Sequence, residues 1–108
     1  MNPYNIFRRL GAFNAIDGEI VTAGASTPVK VKAETRKPDA IDGAFAGLAN
    51  VVAWSCDADV EIAGGAVLVV EGNVYPIVRG DNGLYWAWLY NRPGTRKIFF
   101  TRVDNNDN

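Results

Sequence analysis

Asp57, Asp59 and Glu61 alternate along the stretch "CDADVEI". On a strand this spacing puts all three carboxylates on one face. Oxygen ligands so arranged can hold a hard cation such as Ca²⁺ or Mg²⁺. They can also act as an acid–base set where a pocket shifts one pKa. An EF-hand loop carries its glycine inside the acidic run, whereas Gly64 and Gly65 follow it here. The plainer expectation is a solvated strand face beside a Gly-Gly turn. The chain has no histidine, which excludes Ser–His–Asp and Cys–His arrangements and imidazole ligation of zinc. Cys56 is the single cysteine, so there is no disulfide framework, and without an activating base it reads as a buried structural thiol. Glycine-rich phosphate loops are absent. The sequence implies no cofactor and no enzyme.

A second group is aromatic. "GLYWAWLYN", residues 83–91, is uncharged and two-sided. As a strand it puts Leu84, Trp86, Trp88 and Tyr90 on one face, and Tyr85, Ala87 and Leu89 on the other. Trp86 and Trp88 suit core, a subunit contact, or a stacking platform for oligosaccharide or single-stranded nucleic acid. Platforms for nucleic acid interleave cations with the aromatics, and here Arg92, Arg96 and Lys97 come only afterwards. Those three read either as a charged hairpin tip that aids solubility or as salt-bridging groups between subunits.

The elements that would position these groups are mostly strands. "PYNIFRRL", residues 3–10, has helical spacing, with Asn2-Pro3 to start it and Gly11 to stop it. Its stripe of Ile6, Phe7 and Leu10 either caps the open end of a barrel or meets a partner. Asp17-Gly18 reads as a turn before the strand "EIVTAG". "PVKVKAETR" alternates apolar and charged residues as a half-buried strand. Residues 37–49, "KPDAIDGAFAGLA", read as a long loop. "NVVAWSC" is a strand, and "AVLVVEGNVYPIV" is a hairpin turning at Glu71-Gly72-Asn73. Pro76 must face an edge or a bulge. "RGDNG" and "NRPGT" are turns, and "KIFFTRV" is the last strand. The expected fold is all-β: a small barrel or sandwich of six to seven antiparallel strands, with a short N-terminal helix and one long loop. Residues 1–103 are expected to form one β domain and 104–108, "NNDN" with the preceding Asp104, a disordered polar tail.

Composition agrees with a globular domain of ordinary size. The chain is 48% hydrophobic and 21% charged with a formal net charge of −1, unlike a general polyanion binder. Eleven glycines in 108 residues favour a turn-rich fold. No stretch reads as a signal peptide or reaches the roughly 18 apolar residues of a membrane span. Synthesis in a reducing cytoplasm is the expectation.

The order of features resembles the lambda-type head–tail joining (neck, or stopper) proteins of tailed phages. The features are a short helical N-terminus, "VKVKAET", a long loop, "VVAWSCDADVEIAGG", a tight hairpin and "YWAWLY". Within the hairpin, "GGAVLVV", "EGN" and "VYPIV" match the family's pattern, with Tyr75 in its aromatic position, and "RGDNG" follows. The resemblance covers roughly residues 19–91. It implies a structural virion subunit, made in the host cytoplasm, that forms a hexameric or dodecameric ring. The implied neighbours are a portal or head-completion adaptor on one side and tail-terminator or tail-tube proteins on the other. It also implies a channel loop in contact with DNA, for which Lys37, Asp39, Asp42 and Phe45 are the candidates. Ile6, Phe7, Leu10, Trp86, Trp88, Arg92, Arg96 and Lys97 are the candidate subunit interface. Tail-completion and tail-tube proteins share a related β fold and form the second reading. A small stacking module is the third.

Overall fold

The computed structural model describes residues 15–35, 45, 47–81 and 83–102. The expected N-terminal helix, the stripe Ile6, Phe7 and Leu10, the loop residues Lys37, Asp39 and Asp42, and the polar tail lie outside them. The fold is all-β. Seven strands follow in chain order: β1 (Ile16–Thr22), β2 (Ala25–Glu34), β3 (Val51–Asp57), β4 (Val67–Val70), β5 (Asn73–Pro76), β6 (Ala87–Trp88) and β7 (Arg96–Arg102). They form an antiparallel sheet in the order β5-β4-β1-β2-β3-β7-β6. The sheet curls until its far side returns: Ile77, just past β5, bridges Thr101 of β7, and the Val78 N–H donates to the Phe100 carbonyl at 2.8 Å. That single bridge, without a continuous ladder, leaves the barrel half open.

The sheet turns its corner within β2. Residues Ala25–Val31 pair with β1, whereas Lys32–Glu34 pair with β3. The β1–β2 hairpin turns at Ala23-Gly24 with φ of 49° and 85°, the twist-compatible geometry of a two-residue hairpin. Closure at Thr22↔Ala25 directs the backbone groups of Ser26, Pro28 and Lys30 away from β1. No described strand pairs with them there, and Pro28 has no N–H to offer. Gly18, expected in a turn, instead lies inside β1, where a Cβ would sit 2.9 Å from the Val69 carbonyl oxygen. The close approach of β4 requires glycine there. The β4–β5 hairpin forms as expected, but its turn is Glu71-Gly72, φ 51° and 81°, and Asn73 already belongs to β5. Pro76 lies in that terminal strand of the order.

Strands β3 and β7 are buried almost continuously rather than alternately. Register explains this, because each has a core on both faces. Val52, Trp54, Cys56 and Phe99 face the barrel interior with Val31, Leu68, Val70 and Tyr75. Ala53, Ile98 and Phe100 face outward and are covered by Phe45 and Leu89. Phe45 and Phe100 lie 5.3 Å apart between ring centroids. Inside the barrel the Trp54 indole N–H donates to the Thr101 hydroxyl at 2.9 Å, and both residues are fully buried. A buried donor left without an acceptor costs about 1–3 kcal/mol. Thr101→Val should therefore lower unfolding free energy by about that amount in urea denaturation. Adding Trp54→Phe should cost less in Thr101→Val than in the parent, and strict additivity would exclude the coupling.

Candidate functional site

The acidic alternation does not lie on a strand. β3 ends at Asp57, and the Val60 N–H turns back to the Asp57 carbonyl at 3.2 Å. The three carboxylates therefore do not share a strand face. Among the described residues no group of three or more Asp, Glu or Cys side chains is placed to hold a metal ion. What the turn builds instead is one wall of an open groove of about 840 Å³. Asp57, Asp59, Val60 and Glu61 form that wall, and Asp17, Glu19, Pro28, Val29 and Lys30 line the other side. The groove opens because the β2–β3 ladder stops at Lys32↔Ser55, two pairs short of joining Lys30 to Asp57. Its rim is acidic. Among the described lining residues the one cation, Lys30, pairs with Asp17 at 2.7 Å, while the Ser26 hydroxyl donates to Glu19 at 2.9 Å.

Two side chains of β7 hold the groove's outer wall in place. Lys97 donates from Nζ to the Val60 carbonyl at 2.6 Å and lies 4.3 Å over the Trp86 ring. It is 9% exposed, so it is an internal clamp and not part of a charged tip. Arg96 reaches Asp57 at 3.4 Å and donates from Nε and Nη2 to the Ser55 hydroxyl at 3.2 and 3.1 Å. That buried hydroxyl donates to Glu34 at 2.5 Å, so Glu34, Ser55, Arg96 and Asp57 form one chain of contacts across β2, β3 and β7. Arg92 alone of the expected cationic trio is exposed. Sequence reading missed Glu34, Ser55, Asp17, Glu19 and Lys30. Their only signal was period-two placement in strands whose register long-range pairing decides.

The aromatic stretch is also rearranged. Only Ala87–Trp88 is strand, and the chain then tightens into a 3₁₀ turn at Leu89–Asn91, with Tyr90 and Asn91 at φ 58° and 57°. The alternation expected over seven residues is therefore confined to the surroundings of β6, and Tyr85, expected beside Ala87 and Leu89, packs with Trp86 against the inner core instead. Ala87 and Leu89 join the outer core, while Trp86 packs at the edge of the inner one. Trp86 and Trp88 stand edge to face, 4.8 Å apart at 77°. Two perpendicular indoles, one with a lysine over its face, do not present a flat surface for bases or sugars. Phe45, expected in the channel loop, is a fully buried core residue.

Cys56 is buried in the inner core beside Trp54. Burial pushes its thiol up from an ordinary 9.0 to about 11, and the charges of Arg96 and Lys97 only partly oppose this. A thiol so placed is protonated at neutral pH and is a poor nucleophile.

Comparison of the chain with protein-family models, with curated proteins and with solved structures gives no match.

The raised thiol pKa makes a stability prediction. The unfolded chain loses this proton first as pH rises, so its contribution to stability is whole below pH 9 and falls as pH approaches 11. The slope is at most about 1.4 kcal/mol per pH unit. Cys56→Ala lacks the titration. The gap in unfolding free energy between parent and variant should therefore narrow from pH 8 to 11, and a constant gap would refute the assignment.

Proposed function

We propose that this chain is a structural subunit of a tailed-phage neck, forming a homo-oligomeric ring that joins the head to the tail around the DNA channel. The observation that carries the reading is the hairpin of β4 and β5. Its Glu71-Gly72 turn and its buried Tyr75, with ring centroid 6.2 Å from that of Trp54, supply the pattern on which the resemblance to head–tail joining proteins rests. The side chains that sequence offered to chemistry support a structural role. Arg96 and Lys97 fasten the β3–β4 connection, Ser55 links neighbouring strands, and Cys56 fills core.

The surface has features that suit lateral assembly. Residues Ala23–Pro28 of the β1–β2 hairpin are exposed and extend the sheet beyond its core. Phe45 is buried against Phe100. Lys37, Asp39 and Asp42 are the residues proposed to face DNA, and Phe45 is withdrawn from that set. The neighbours proposed are a portal or head-completion adaptor and a tail-terminator or tail-tube protein. Six or twelve copies would match the symmetry of such partners.

Disruption of the gene in its phage or prophage tests the assignment. The expected result is DNA-filled heads and finished tails that fail to join, with joining restored by the purified chain. Cryo-EM of intact particles should place the chain as a ring between head and tail. Density along or at the tip of the tail would favour a tail-completion or tail-tube role. Normal tailed particles lacking the chain would overturn the virion reading altogether.

A further inference from the structure

Among the described residues, one side of the β2 backbone is left without a partner strand. Along Ala25–Val31 the strand pairs with β1, and its ladder to β3 includes only Lys32–Glu34. Had β3 run on in register, Asp57 would lie beside Lys30. The chain turns away there instead, and the groove bounded by Pro28, Lys30 and Asp57 takes the vacated lane. We propose that this lane receives an extended, cationic segment of a partner protein, added to the sheet as a strand beside β2.

The backbone provides the template. Because Thr22↔Ala25 closes the hairpin as a hydrogen-bonded pair, Ser26, Pro28 and Lys30 direct their main-chain groups into the lane. Ser26 and Lys30 each offer a donor and an acceptor there, and Pro28 an acceptor alone. All three residues are exposed, and no described residue bonds these groups. An open edge of this kind accepts a further strand, which would satisfy it as β3 satisfies Lys32 and Glu34.

Charge selects the occupant. Asp17 and Glu19 share a sheet face with their register partners Lys30 and Pro28, and Asp59 and Glu61 stand on the opposite wall. Asp17 is paired with Lys30 and Asp57 with Arg96, whereas Asp59 and Glu61 are exposed and make no ion pair among the described residues. A strand with Lys or Arg at alternate positions lays its cations along these carboxylates. A second copy of β2 suits the lane poorly. Antiparallel self-pairing that matches Ser26 to Lys30 sets two copies of Pro28 opposite each other with no donor between them. It also brings one acidic rim against another. The inference does not depend on the neck assignment.

The test is amide hydrogen exchange, read by NMR on the full chain with and without a capped Lys-Val-Lys-Val-Lys-Val-Lys peptide. The Ser26 and Lys30 amides should exchange freely in the chain alone, and the peptide should slow both by about tenfold or more. N-methylation of the peptide's lysine backbone nitrogens, which removes the donors facing β2, should abolish that protection. A peptide with glutamate in place of lysine should give none. Asp59→Lys with Glu61→Lys, at two exposed positions, should weaken binding of the lysine peptide by about tenfold. Protection already present in the dilute chain alone would assign the lane to this chain's own residues, and protection that grows with chain concentration would assign it to a second copy. Either result would overturn the proposal, as would failure of the lysine peptide to protect, or binding indifferent to N-methylation or to charge reversal.

Discussion

Strands β3 and β7 are paired along seven residues, from Val51↔Arg102 to Asp57↔Arg96, and both are apolar on both faces. A ribbon of this kind cannot sit at a surface, since either face left open would expose Trp54 and Phe99 or Ile98 and Phe100. The inner face is covered by curling the rest of the sheet around it. The outer face is covered by Phe45 and Leu89, which come from connections rather than strands. The half-open barrel, the 3₁₀ turn after β6 and the burial of Phe45 all answer this one requirement.

The same requirement opens the groove. To curl over the inner face, β2 must serve two neighbours, and it does so by changing partner between Val31 and Lys32. Beyond that point β2 and β3 separate, and the chain after Asp57 has no ladder to follow. Side chains hold it instead. Lys97 fixes the Val60 carbonyl and Arg96 fixes Asp57. Burying an ammonium group with no carboxylate partner among the described residues is costly, and the arrangement offsets this with a short hydrogen bond and the Trp86 ring. The two cations that sequence places at a hairpin tip are therefore the groove's scaffold.

Much of the strand plan was legible. The alternation of "PVKVKAE", the β-branched runs around Glu71-Gly72 and the run "KIFF" locate β2, β4, β5 and β7, because these patterns reflect local burial. What was not legible depends on distant neighbours. Gly18 resembles a turn residue, yet it is in β1 because the Val69 carbonyl comes within 2.9 Å of where a Cβ would be. "DADVEI" has strand periodicity but no partner strand, so periodicity alone misplaced its carboxylates. Lys97 reads as solvated, and only the register Cys56↔Lys97 turns it to the interior. Residue type and spacing showed which groups were present, while register decided which of them meet.

The aromatic stretch shows how the two-sided ribbon reaches beyond its own strands. β6 lasts two residues, enough to place Ala87 against Ile98 on the outer core and Trp88 against Lys97 on the inner side. A longer regular strand would keep Leu89 and Tyr90 on opposite faces of the sheet. Leu89 stays over the outer core on the face of Ala87, as a strand would also place it, and the left-handed conformations of Tyr90 and Asn91 leave Tyr90 exposed rather than on the inner face. Each such conformation is unfavourable for a residue with a Cβ. It is accommodated in a turn whose Leu89 packs with Phe100 and Ile98. The stretch is thus divided by the ribbon's geometry: Tyr85 and Trp86 pack against the inner core, Ala87 and Leu89 against the outer one, and Tyr90 is exposed.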